Sequence, residues 1–231
     1  MPNKNYILVS VDGSIGAGKS TLISRLERKL PGIEYNNRTI NILYLQEPVN
    51  LWTGGNEVKI NYLDLFYKNK IQVFSFEAYI MTTLLQQLKT IIEQNKNEEL
   101  YIIVTERSLL SSFSVFSKLA FENNKINASE YQILKELSEL SVDIDGVVYI
   151  DTPPELCLYR VRTRGRVEEA TIDINYMDAL HSKYSDMLDL NICKNFKKLN
   201  LFDDYLAEIK VGAFFYNLLS LNDSSGSYLN M

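Results

Sequence analysis

Gly13-Ser14-Ile15-Gly16-Ala17-Gly18-Lys19-Ser20 fills every fixed position of the pattern G-x-x-x-x-G-K-[ST], and Thr21 follows it. The chemistry served by this spacing is a grip on polyphosphate. Glycines let successive backbone N–H groups turn toward phosphate oxygens, and the helix starting near Lys19 aims its positive end at the same place. Lys19 is placed to reach the β- and γ-phosphates, and the Ser20 hydroxyl to take a magnesium position. ATP and Mg2+ are therefore the expected ligands. Chance would produce such a string in a chain of this size on the order of once in a hundred, judged from ordinary glycine usage. The loop alone does not separate a phosphotransferase from a guanine-nucleotide switch. Asn95-Lys96-Asn97-Glu98 is a near miss to the N-K-x-D string of such switches, but it ends in Glu and precedes a strand instead of following one; it reads as a polar loop.

Phosphoryl transfer also needs an in-line acceptor, a group to take its proton, a carboxylate beside the metal, and positive charge on the transferring oxygens. Two apolar runs end in carboxylates, at Gln46-Glu47-Pro48 and at Thr105-Glu106-Arg107-Ser108. Glu47 suits the proton acceptor, Glu106 the metal side, and Arg107 the acceptor oxygen and developing charge. Arg160, Arg162, Arg164 and Arg166 supply further charge. Gly165 should end their helix, so that Arg164 and Arg166 turn back as part of a lid over the nucleotide. Lys19, Arg164 and Arg166 join Glu47 and Arg107 as candidate catalytic groups.

Elements that carry these residues follow from the apolar pattern. Short runs at Tyr6–Val11, Ile40–Leu45, Tyr101–Thr105, Val147–Ile150 and Lys198–Leu201 read as buried strands. Amphipathic segments at Ser20–Leu30, Val73–Gln94 and Ser129–Leu140, and one opened by Pro153-Pro154, read as helices between them. The alternation predicts an α/β fold: a five-stranded parallel sheet with helices on both faces, in which ligands bind beyond the carboxyl ends of the strands. The 231 residues suit one domain, residues 1–221, with a frayed tail over 222–231. Asp203-Asp204 would either border the adenine or cap the last helix. A net charge of −5 argues against a nucleic-acid partner. The 15 tyrosines lack the basic stripe of a stacking platform. The two cysteines, Cys157 and Cys193, lack disulfide or zinc spacing. The N-terminal residues show no leader pattern, and no run is long enough to span a membrane, so a cytoplasmic location is expected. His181 lacks a nearby acid–base partner in the sequence and reads as structural.

Together, Gly13–Thr21, Glu47-Pro48-Val49 with Trp52, Phe76-Glu77-Ala78-Tyr79, Glu106-Arg107-Ser108 and the run from Arg160 to Glu169 resemble the deoxyribonucleoside kinases, in order and in spacing, over residues 5–205. The group is that of deoxycytidine, deoxyguanosine and mitochondrial-type thymidine kinases. The resemblance implies the P-loop kinase fold with an arginine-rich lid, a deoxyribonucleoside as acceptor, and Glu47 as base toward its 5′-hydroxyl with Arg107 alongside. It implies that Tyr67 and Glu169 hold the 3′-hydroxyl, that Trp52, Phe76 and Phe116 wall the base, and that the chain forms a homodimer through Val73–Gln94. One position departs from the family, which usually has Gln where this chain has Glu77. An ionised carboxylate only accepts hydrogen bonds and matches guanine, whereas a protonated one both donates and accepts and suits cytosine or thymine. Ile80, Leu84 and Ser112 stand where thymidine-accepting members are neutral, which leans toward pyrimidines. Thymidylate kinases share the loop, a lid and a Glu-Pro, but they continue into a glycine turn where this chain has Val49-Asn50-Leu51-Trp52.

Overall fold

A computed structural model describes residues 4–55, 59–189, 195–200 and 206–224. Six strands form a single sheet in the order β2-β3-β4-β1-β5-β6. They are β1 (Tyr6–Asp12), β2 (Gly32–Tyr35), β3 (Arg38–Leu45), β4 (Tyr101–Glu106), β5 (Gly146–Ile150) and β6 (Phe196–Leu199). All neighbours pair in parallel except β2, which runs antiparallel to β3. The expected five-stranded, all-parallel sheet therefore gains an antiparallel edge strand. Its cause is a two-residue hairpin: Tyr35 pairs with Arg38, and Asn36 and Asn37 between them have φ of 49° and 62°. Positive φ at both turn positions matches the right-handed twist of the flanking strands, and Asn tolerates that region. The last strand begins at Phe196, two residues before the expected start, and Leu201 lies outside the described residues.

The helices are α1 (Lys19–Lys29), α2 (Val49–Trp52), α3 (Tyr62–Tyr67), α4 (Val73–Gln94), α5 (Leu109–Ser111), α6 (Lys118–Glu122), α7 (Ala128–Glu139), α8 (Pro154–Arg164), α9 (Ile174–Asp189) and α10 (Ala207–Ser224). Between α5 and α6 the chain widens into a π-helical stretch, Ser112–Ser117. Local chemistry sets the boundaries. Asn127 and Glu130 form a reciprocal capping box at the start of α7. Pro154 sits in the first turn of α8, and Gly165 closes that helix at φ 70°. α10 continues to Ser224, so Asn222, Asp223 and Ser224, expected in a frayed tail, are helical. Asp223 accepts from the Tyr35 hydroxyl at 2.8 Å and from the Asn36 side chain at 2.9 Å, which holds that end against the hairpin.

All of β1 is buried, and its packing partners alternate with a period of two. Ile7, Val9 and Val11 pack with Leu22 and Leu26 of α1 and with Val211 and Phe215 of α10 on one face. Tyr6 and Leu8 pack with Tyr101, Ile103 and Leu88 on the other. A sheet covered on both faces leaves its strand ends as the place where polar groups can converge. Among the described residues, no helix is long and apolar enough to cross a membrane.

Candidate active site

The carboxyl ends of β1, β3 and β4 open into one cleft of about 600 Å³. That volume is in the range of small-molecule sites. β1 delivers the glycine loop. Gly16 has φ 79°, and a Cβ there would collide with the carbonyl oxygen of Cys157, so no other residue fits. Lys19 folds back to donate to the carbonyls of Gly13 at 3.1 Å and Ser14 at 3.0 Å. Burial, reinforced by the Arg107 charge, lowers the lysine to about 8 despite the carboxylates Glu47, Glu106 and Asp12. The Ser20 hydroxyl donates to Glu106 at 2.8 Å. Burial and the neighbouring Glu47 raise the Glu106 carboxyl above its ordinary value, against the pull of Lys19. These two oxygen groups are hard donors of the kind magnesium takes, so the residues present fit that ion.

β3 and β4 carry the next layer. Arg107 donates through Nε to Glu47 at 2.6 Å. It stands in the left-handed region at φ 63°, with its backbone N–H on the Val11 carbonyl at 3.0 Å. A long side chain held there costs on the order of 1–3 kcal/mol, which the surrounding contacts must offset. Its Cζ lies 4.6 Å from the centre of the Phe116 ring. Burial works against the guanidinium charge, but Tyr184, Glu47, Asp12 and Glu106 outweigh it and hold the charge firmly.

Farther from the loop the lining turns aromatic. The rings of Phe66 and Phe76 stack with centroids 4.2 Å apart, and Trp52 is anchored by its Nε1–H on Thr83 Oγ1 at 3.0 Å. Ile80, Ser112 and Phe116 complete this end. The latter two lie on the π-helical stretch, a distortion that favours functional sites. Glu77 is buried in the same wall, and burial pushes its carboxyl up to about 8 while Arg107 and the Ser117 hydroxyl pull it down. Tyr67 and Glu169 line the side of the cleft, and burial keeps the Tyr67 phenol well above its usual value.

The lid residues sit across the mouth. Arg160 donates to the Ala17 carbonyl at 2.9 Å. Arg164 pairs with Glu169 at 2.5 Å, and Arg166 approaches the other carboxylate oxygen at 3.3 Å. The expected sugar-binding carboxylate and two expected phosphate-binding arginines thus meet in one cluster. Of the expected site residues, Leu84 does not line this cleft: it packs with Trp52, Met81 and Leu85 behind the wall. Arg162 points away on the exposed side of α8, while Gly13, Ser14 and Ala17 form the back of the loop instead of its lining.

The comparison with known families settles the class of chemistry. The family model for deoxynucleoside kinases matches residues 9–208. The chain belongs to that family. The match spans the loop, both strand-end carboxylates, the aromatic wall and the lid. It includes chains of modest identity. A "probable deoxycytidine kinase" of fowlpox virus is 30% identical over 195 residues, 82% of this chain and 74% of its own length. Human deoxycytidine kinase is 27% identical over 217 residues, 88% of this chain and 81% of its own. A mitochondrial deoxyguanosine kinase of Xenopus laevis is 26% identical over 200 residues, 78% and 72%. This deoxynucleoside kinase is accordingly an ATP-dependent enzyme that phosphorylates a nucleoside.

Several residues of the kinase cleft escape a reading of the sequence. Leu63 and Phe66 on α3 and Tyr176 on α9 line it, and Arg25 reaches its edge from α1 while paired to Glu208 at 2.7 Å. Tyr176 lies five residues before His181, which itself faces Asp151 at 3.9 Å, outside the cleft. The Asn95–Glu98 string lies before β4, tied to Asn5, at the opposite end of the sheet from the cleft. Asp203 and Asp204 lie outside the described residues.

Proposed function

We propose that this kinase moves the γ-phosphoryl group of ATP to the 5′-hydroxyl of a deoxyribonucleoside, leaning toward thymidine and deoxycytidine. The observation that carries the reading is the Glu47–Arg107 pair, which stands between the phosphate loop and the aromatic wall. In this reading the acceptor's base lies against Trp52, Phe76 and Phe116, its 3′-hydroxyl meets Tyr67 and Glu169, and its 5′-hydroxyl faces Glu47. The hydroxyl proton passes to Glu47 as its oxygen bonds the γ-phosphorus; the bond to the β–γ bridging oxygen breaks, and ADP leaves. Lys19, Arg164 and Arg166 neutralise charge on the transferring oxygens, and Arg107 steadies the acceptor oxygen. Mg2+, when bound by Ser20 and Glu106, would neutralise phosphate charge. Among the described residues no group of three or more His, Cys, Asp or Glu is arranged to hold a metal, so phosphate and water would complete its shell.

Glu77 supports the pyrimidine leaning. With its carboxyl raised to about 8, it keeps its proton at neutral pH and offers one donor beside one acceptor. Cytosine and thymine each present such a pair on the facing edge. Above pH 8 the carboxylate only accepts, and guanine, with two adjacent donors, gains. A panel of the four deoxynucleosides with ATP and magnesium, scored for monophosphate, tests the reading. Transfer to pyrimidines with a guanine share that grows with pH supports it; equal rates with ribonucleosides would remove the sugar assignment. A cytoplasmic homodimer joined through α4 belongs to the same proposal. Ile133 of α7 is half exposed, and α7 packs against α4. Light scattering tests the dimer, and cell fractionation tests the location.

A further inference from the structure

Arg107 is held by more than the carboxylate it was expected to accompany. Its Nη1 donates to the phenolic oxygen of Tyr184, a residue of α9 with no exposed surface. The phenol is locked in turn, since its ring lies 5.7 Å from that of Tyr149 and meets Phe116 edge-on at 6.5 Å. Burial keeps the Tyr184 hydroxyl protonated throughout the working pH range, so it is a permanent neutral acceptor for the guanidinium.

The geometry of the fork decides what this contact does. A guanidinium has five N–H donors in one rigid plane. Bonded to Glu47 through Nε alone, that plane could swing about the single contact. A second bond at Nη1, with Phe116 against the face, removes the freedom. Nη2 has no hydrogen-bond partner among the described residues, and Arg107 lines the cleft.

We propose that Tyr184 is a positioning residue for phosphoryl transfer, fixing the guanidinium plane of Arg107 and through it the Glu47 carboxylate. This rests on the proposed role of Arg107. It also gives α9 a part in the chemistry, since the helix that follows the lid is bonded to the residue beside the base.

Tyr184→Phe keeps the ring and removes the acceptor. With ATP and the best deoxynucleoside, the expected result is a kcat lowered about tenfold, with KM for ATP within twofold and a melting temperature within a few degrees of the parent. Tyr149→Phe, which loses a neighbouring buried phenol that does not touch Arg107, should keep kcat within twofold. Arg107→Lys, which lacks the fork, should itself lose activity, and adding Tyr184→Phe to it should cost nothing more. An unchanged kcat in Tyr184→Phe, or a full tenfold loss repeated in the Arg107→Lys background, overturns the proposal. If Arg107→Lys is fully active, the reading of Arg107 fails instead. Should Tyr184→Phe melt early, a kcat deficit that persists well below its melting point still supports positioning, and recovery there to parental kcat refutes it.

Discussion

Glu77→Gln should make the protein more stable at neutral pH and flatten its stability profile. Glu77 lies on the wall formed by α4 with 6% of its surface exposed, and the cation that acts on its carboxyl, Arg107, is already committed to Glu47 and Tyr184. Burial raises it from 4.5 to about 8. In the unfolded chain the group ionises above pH 4.5, while in the folded chain it keeps its proton until about 8. Its contribution to stability is therefore fully present below pH 4.5, declines as pH rises, and is gone above about 8. Between roughly pH 5.5 and 7.5 one proton separates the two states, a slope of about 1.4 kcal/mol per pH unit. At pH 7 the accumulated loss is about 3 kcal/mol. Glutamine fills the same volume, donates and accepts, and does not titrate. Urea unfolding of both proteins at pH 5.5, 6.5 and 7.5 reads the effect as a difference, which cancels the other titrating groups. The gap should widen by roughly 2–3 kcal/mol over that span in favour of glutamine. Parallel profiles would refute the reasoning and show that Glu77 is ionised throughout.

The same variant should hold the ratio of deoxyguanosine to deoxycytidine turnover constant between pH 6.5 and 9, whereas the parent's ratio should rise through pH 8. Lys19, lowered to about 8, should lose its proton as pH passes that value, so kcat/KM for ATP in the free enzyme should fall on that limb. Lys19→Arg should move the limb out of range, whatever its absolute rate. Gly16→Ala forces a side chain into a positive φ and against the Cys157 carbonyl; calorimetric titration should show ATP affinity reduced roughly 5- to 150-fold, on a strain of about 1–3 kcal/mol.

The phosphate loop was legible because its function fixes residue types: backbone must approach phosphate, so only glycine serves at Gly16. Glu47, Glu106 and Arg107 were legible from their place after buried strands. The edge strand β2 was not, because the four residues after Pro31, Gly32–Tyr35, show too little periodicity, although Asn36-Asn37 was a hairpin signal in plain view. Leu84 was misplaced because it sits four residues past Ile80 on α4, roughly the same helical face, yet it packs with Trp52, Met81 and Leu85 instead of lining the cleft. Tyr176 and Tyr184 were hidden because a buried tyrosine that faces a site and one that fills a core look alike until the partner of the hydroxyl is known. The meeting of Arg164 and Arg166 with Glu169 depended on the turn after Gly165, which spacing alone does not orient.

Transfer in this kinase turns on the proton taken from the acceptor alcohol. Single-turnover transfer from ATP by Glu47→Gln, measured beside the ATP dissociation constant of the same protein, examines that step alone. A rate about a hundredfold or more below the parent, with ATP bound as tightly, is the expected outcome. A rate within a few-fold of the parent would contradict it and leave the acceptor proton to some other group.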